Sequence, residues 1–288
     1  MSRRFFLSRS GFLRPGARVG RGGDGADVIG DLWRYRRFVL GMARREFRAR
    51  YLGSLLGSAW AVLQPLATIA IYTLVFGGLL GARLPTGGDG LSYGLFLCAG
   101  VLTWASFAEI LQRCTGIFVT EANLMKKMSF PRVVLPAVAW LSASLHLLIT
   151  LGLVLLLLFV TGRFPGVNLL VLLPLLLLQQ AIGLGLGVAL GVLNVFFRDI
   201  GHGLGIVVQY WFWLTPIVYP LSIVPEWARG LVALNPMTGL VVAFQGLLLD
   251  GRLPTLESLA VPVAAALLSL WLGRSLYRRL AGQMTDDL

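Results

Sequence analysis

The segment EANLMKKMSFPR, Glu121 to Arg132, holds the only two lysines of the chain, and neutralising a phosphate is the first chemistry a paired lysine suggests. In an ATP-hydrolysing P-loop the lysine follows a glycine, with a second glycine five residues earlier, so that backbone N–H groups cradle the phosphates. Here Met125 and Lys126 precede the lysines, so this chain does not hydrolyse nucleotide by that route. Glu109 and His146 fall inside apolar runs, where ion-coupled carriers keep their titrating groups. Neither has an obvious partner in the sequence, so a structural role is expected for Glu109 and an interhelical hydrogen bond for His146. His202, just after Arg198 and Asp199, reads as a solvated or capping residue at a turn. Cys98 and Cys114 stand roughly 24 Å apart if one helix carries both, too far for a disulfide; both read as small packing residues. Two scattered histidines supply neither the nucleophile–base pair nor the metal cluster of a membrane protease or transferase. No catalytic residue and no metal ligand is assigned, and any work the chain does must be powered from elsewhere.

The elements around these residues are set by composition. With 57% hydrophobic and 13% charged residues over 288 positions and a mean hydropathy of +0.79, the chain cannot cover a core with polar surface as a soluble domain does. An all-α polytopic membrane protein is expected. Apolar runs long enough to cross a hydrocarbon layer of about 30 Å occur near Leu55–Leu80, Leu91–Leu111, Val133–Val160, Leu169–Phe197, Leu204–Leu221 and Leu259–Leu272, which predicts six spans over residues 54–280. Only Arg83, Arg163, Arg229 and Arg252 fall on one face of this topology; all other arginines and both lysines, with Arg113 placed in the loop after the second span, fall on the opposite one. The positive-inside rule puts that richer face, with both termini, in the cytoplasm. The net charge of +12 is therefore a matter of membrane sidedness, and no nucleic-acid partner is expected.

Residues 1–30, rich in Arg and Gly without an apolar h-region, read as a flexible cytoplasmic tail rather than a cleaved signal, and residues 281–288 as a short C-terminal one. In DLWRYRRFVLGMARREFRARY, within residues 31–53, helical periodicity gathers Arg34, Arg37, Arg44, Arg45 and Arg48 on one face and Leu32, Tyr35, Phe38, Val39, Met42 and Phe47 on the other. This predicts an amphipathic helix in the membrane interface; an arm that merely enforces topology has the same pattern. Gly183, Gly187 and Gly191 form a stripe for close helix packing. Pro216, Pro220, Pro225 and Pro236 divide the stretch that follows the fifth run into pieces too short to cross. Broken backbone is tolerated at membrane depth only against protein or water, so residues 216–248 are expected to form two short re-entrant helices at the outer face. The opening segment itself reads as a short helix, with Thr120 as cap, Glu121 in its first turn, Lys126 and Lys127 in its last and Pro131 as its stop. Such a helix can fit a groove on a soluble partner; a solvated loop helix has the same pattern.

The runs RREFRARYLGSLLGSAWAVLQPL, NLMKKMSFPRVVLP, NVFFRDI and WFWLTPIVYPLSIVPEWARGLVALNPMTGLV, in this order over about residues 31–280, resemble the membrane subunit of the ABC-2 type polysaccharide exporters, which export O-antigen, capsular polysaccharide or teichoic acid. The Arg-rich segment before Asp31 has no counterpart in that resemblance. The resemblance implies a homodimer in the bacterial inner membrane, with a tunnel along its axis, bound to two copies of a separate nucleotide-binding subunit that carries ATP and Mg; this chain itself has no cofactor. It also implies that Glu121 to Phe130 form the coupling helix, with Glu121, Asn123, Leu124, Lys126, Lys127 and Phe130 meeting the ATPase. ATP binding and hydrolysis there would shift the coupling helices and advance the chain outward.

A sliding polysaccharide needs aromatic platforms without strong fixed charge, and Trp60, Tyr72, Phe76, Trp104, Phe107, Tyr210, Trp211, Trp213 and Tyr219 are candidates. Interfacial belts use the same residue types. A lipid-linked glycan also brings a pyrophosphate, which suits the planar fork of arginine; Arg48, Arg50 and Arg132, near the cytoplasmic boundary, are expected to receive it. Two alternatives remain at this level: an ABC-2 exporter of drugs or small lipids, and an integral-membrane enzyme of glycan or lipid assembly.

Overall fold

The computed structural model describes residues 28–51, 56–75, 90–127 and 130–285. The Arg-rich tail as far as residue 27, the candidate Phe76, Met128, Ser129 and the last three residues lie outside the described residues. Every regular element among those described is helical, as the composition requires: in hydrocarbon each N–H and C=O must be satisfied within its own segment.

The chain runs through α1 (Val28–Arg34), α2 (Arg36–Tyr51), α3 (Trp60–Tyr72), α4 (Gly90–Thr120), α5 (Ala122–Lys127), α6 (Val134–Val160), α7 (Leu172–Phe196), α8 (Asp199–Trp213), α9 (Glu226–Leu234), α10 (Pro236–Asp250) and α11 (Leu256–Leu280), with 3-10 turns between several of them. α4 is the axis. It packs on α6, α7 and α10, and α7 packs in turn on α11. Of α4's most apolar stretch 78% is buried, against 22% of α11's, so the outer helices turn Leu148, Leu156, Leu173, Leu267 and Trp271 outward. That exposed apolar belt is unsustainable in water and ordinary against lipid tails or a second protein.

The glycine stripe packs as expected. Gly183, Gly187 and Gly191 lie against Ile110, Cys114 and Phe118 of α4, and a Cβ on Gly187 would stand 2.6 Å from the Cβ of Cys114. α11 uses the same device, since a Cβ on Gly273 would meet the Gly185 carbonyl oxygen at 2.6 Å. Both cysteines are free and buried.

Several boundaries differ from the sequence reading. The second apolar run continues as helix to Thr120, so Arg113 lies within α4 and not in a loop. Among the described residues, four helices are long and apolar enough to cross a membrane, or five if the bent pair α9–α10 is taken as one span. The expected fifth crossing is α8, whose 15 residues reach about 22 Å at 1.5 Å per residue. Of the expected first crossing, Leu55–Leu80, the described residues show helix from Trp60 to Val75, and residues 76–80 lie outside them. Where two short helices are expected over residues 216–248, α9 and α10 meet at 98°. Asn235 fixes that corner: its Oδ1 accepts from the Met237 N–H at 3.0 Å, and Pro236 occupies the first helical position, where its missing N–H costs nothing. Gly251, at φ +64°, ends α10 in the left-handed conformation that glycine adopts without strain.

Candidate functional site

At the end of the bundle that bears the lysines, α5 and α2 face each other across a groove of about 790 Å³. Phe38, Gly41, Met42, Arg45, Glu46 and Ala49 form one wall, and Glu121, Asn123, Leu124 and Lys127 the other. Helix α5 is described over Ala122–Lys127, and Met128 and Ser129 after it lie outside the described residues. Thr120 belongs to the last turn of α4, and the Glu121 carbonyl accepts from the Leu124 and Met125 N–H groups, so Glu121 and not Thr120 stands at the start of α5. Met125 points inward, buried in a cluster with Phe118, Leu135, Val195 and the fully buried Met284 that follows α11. With that face anchored, Asn123, Lys126 and Lys127 are left exposed. Phe130 lies beyond the helix and holds its ring 5.6 Å from that of Phe38 on α2.

α2 has the two faces its periodicity predicts. Arg34 and Arg37, just before it and at its start, and Arg44, Arg45 and Arg48 are exposed, whereas Val39 and Ala43 are buried. The buried side meets protein: Val39 and Ala43 form one cluster with Val134 and Val138 of α6.

The same end holds a cluster that the sequence reading missed. Glu109, on α4, has both carboxylate oxygens engaged. Oε1 accepts from Arg113 Nε at 2.9 Å and from Arg50 Nη2 at 2.9 Å, and Oε2 lies 2.6 Å from His146 Nδ1. Arg113 also donates to Glu46 of α2 and reaches Ser142 of α6 at 3.5 Å. Glu109 and His146 are therefore each other's partner, and three elements converge on them. Burial pushes the Glu46 carboxyl above its usual range, with Arg113 beside it pulling the other way. The sequence carried a signal: Glu46/Arg50 and Glu109/Arg113 are both i,i+4 pairs of opposite charge. Glu109 and His146 also line a cavity of about 140 Å³ between α3, α4 and α6, together with Gln64, Thr68 and Thr150.

The aromatic candidates divide into two groups. Trp104 and Phe107 are buried, with centroids 5.8 and 5.3 Å from that of Trp211, ring edge to ring face. They are core residues in this conformation rather than open platforms, because α8 lays Trp211 and Phe212 directly over them. Trp211 is held by its Nε1–H donating to Asn235 Oδ1 at 2.9 Å, and Asn235 Nδ2 donates to Thr215 Oγ1 at 2.9 Å. Tyr210 and Trp213 instead project outward from α8, 67% and 59% exposed. Trp60 is exposed on α3, Tyr72 is half-buried, and Tyr219 donates to the Trp213 carbonyl at 3.1 Å. Of the three arginines expected to receive a pyrophosphate, Arg48 is exposed, Arg132 half-buried, and Arg50 engaged with Glu109.

Residues 38–249 match the ABC-2 type transporter family. The chain is 30% identical over 263 residues to the O-antigen export system permease protein RfbA of Myxococcus xanthus, covering 91% of this chain and 99% of that one. It is 27% identical to the protein of the same name from Klebsiella pneumoniae over 86% of this chain and 93% of the relative. The polysialic acid transport protein KpsM of Escherichia coli is 24% identical over 81% of this chain and 90% of its own length.

Proposed function

The chain belongs to the ABC-2 type transporter family, and from that membership we propose that it is the channel-forming permease subunit of an ATP-driven exporter of lipid-linked polysaccharide, of the O-antigen or capsular kind. The observation that carries the reading is the full-length similarity to an O-antigen export permease. The structure is compatible with it in a specific way. A short helix is anchored on its apolar side by Met125 and exposes Asn123, Lys126 and Lys127 beside a groove, the form a docking element for a motor needs.

In this reading the lysine end faces the cytoplasm, α2 lies along the inner interface of a bacterial inner membrane, and α5 is the coupling helix. Two copies of a cognate nucleotide-binding subunit dock there and bind ATP and Mg. Six crossings are completed by α3 and α8, and α9–α10 re-enter from the outer face. Two copies of the chain meet along the exposed side of α8, where Val207, Tyr210 and Trp213 are bare and Gly203 and Gly205 have nothing packed on them. The exposed Tyr210, Trp213 and Trp60 are the aromatic platforms best placed to face a tunnel; Arg48 and Arg132 are the arginines best placed to meet a pyrophosphate.

Deleting the gene in its native host tests this. Loss of surface polysaccharide with lipid-linked polymer retained inside is expected, and restoration requires both this chain and its ATPase. Unaltered surface polysaccharide, accompanied by a defect in the efflux of small amphiphiles, would contradict it.

A further inference from the structure

The charges at the lysine end form one connected set, partly buried except for the exposed Arg50. Glu46 and Arg50 come from the amphipathic helix α2, Glu109 and Arg113 from the axial helix α4, and Ser142 and His146 from α6. Two carboxylates and two guanidiniums cancel, and the imidazole completes the hydrogen bonding of the central carboxylate. We propose that Glu109 is the positioning residue of a charge-balanced latch that locks α2 in register on α4 and α6, so that α2 and the bundle move as one body during transport. The inference rests on the exporter reading above, because the motion to be transmitted is that of a docked ATPase.

Geometry favours a latch over simple packing. α2 is already held along its first half by an apolar contact of Val39 and Ala43 with Val134 and Val138, with Phe38, Met42 and Leu141 packed around them. Such contacts are non-directional and do not by themselves fix one register against sliding. One helical turn further along, Glu46 and Arg50 add directional, charge-assisted bonds to fixed atoms of α4. Buried ion pairs are weak devices for stability, since an apolar replacement often serves as well; their best-attested use is to specify register. Placement matters too. α2 forms one wall of the groove whose other wall is α5, so whatever presses on that groove presses on α2. Glu109 also lines the small cavity between α3, α4 and α6, so displacement of α2 is felt on both sides of the axis.

Charge balance dictates the test. In the complex with its ATPase, Glu109→Gln leaves the set one charge positive and Arg50→Gln one charge negative, while the double variant is neutral again. Polysaccharide exported per ATP hydrolysed is expected to fall about fivefold or more in each single variant, the lower end of ordinary site-to-site coupling. The double variant is expected to recover part of it, a non-additive outcome that marks a direct pair. A merely structural role predicts lower yield with an unchanged ratio and additive losses, and that result would overturn the proposal. A second measurement needs no substrate. Spin labels at Leu40→Cys on α2 and Leu148→Cys on α6, both exposed with native Cys98 and Cys114 buried from the label, should give one narrow distance with and without ATP. In the Glu109→Gln background the distribution should broaden or shift; an unchanged distribution would sink the latch. Failure of the unmodified complex to export polysaccharide, with the narrow distance intact, would sink the exporter reading and leave the latch standing.

Discussion

Two sides of the middle of α4 solve the burial problem in opposite ways. On one, Trp104 and Phe107 are enclosed by Trp211 and Phe212 in a dry aromatic cluster. On the other, Glu109 and Arg113 meet charges and a hydroxyl from α2 and α6. The aromatic side keeps its contacts if neighbours shift slightly, because dispersion falls off gradually and has no preferred direction. The charged side keeps them only in one register. One region therefore reads as a hub that holds the bundle together, the other as a joint that fixes what attaches to it.

Substitutions can break this contrast. Phe107→Ala should have the largest effect, about 3–5 kcal/mol from lost burial and the cavity left behind, seen as a lower unfolding temperature in detergent with α2 no more sensitive to trypsin. Arg113→Gln removes the common partner of Glu46 and Glu109 and should cost about 1–3 kcal/mol, as expected for a charged hydrogen-bonding group that is only partly buried. Its signature differs: cleavage at Arg44, Arg45 and Arg48 should accelerate before the bundle unfolds. If both variants behaved alike in proteolysis, the distinction between hub and joint would be lost. Asn235→Ala, which removes the α10 cap and the bonds to Trp211 and Thr215, should cost about 1–2 kcal/mol, measured as a smaller fall in the same unfolding temperature. Smallest for stability are Lys126→Ala and Lys127→Ala, expected within about 0.5 kcal/mol. Co-purification of the ATPase should nevertheless drop when both are changed together, which would place these side chains at the contact rather than in the fold.

The sequence made the helical class legible because apolar runs of membrane length leave few alternatives, and it made the α2 faces legible because period 3.6 survives in Arg44, Arg45 and Arg48 against Val39 and Met42. Gly183, Gly187 and Gly191 were readable for the same reason. The charged joint was not. Arg50 and Glu109 are 59 positions apart, and no one-dimensional periodicity says that two i,i+4 pairs on different helices interlock. That Trp104 and Phe107 are buried within the protomer was not legible for a different reason: in a membrane protein the residues facing core, lipid and tunnel are all apolar, so composition cannot tell them apart. Of the expected helix from Glu121 to Phe130, helix is described over Ala122–Lys127, Phe130 is outside it, and Met128 and Ser129 lie outside the described residues.

Reconstitution tests the central claim most directly. Proteoliposomes holding this chain with its ATPase, supplied with ATP and lipid-linked polysaccharide on the lysine side, should accumulate polymer across the bilayer, and those holding the chain alone should not. Accumulation without the ATPase, or none with it while ATP is being hydrolysed, would contradict the account.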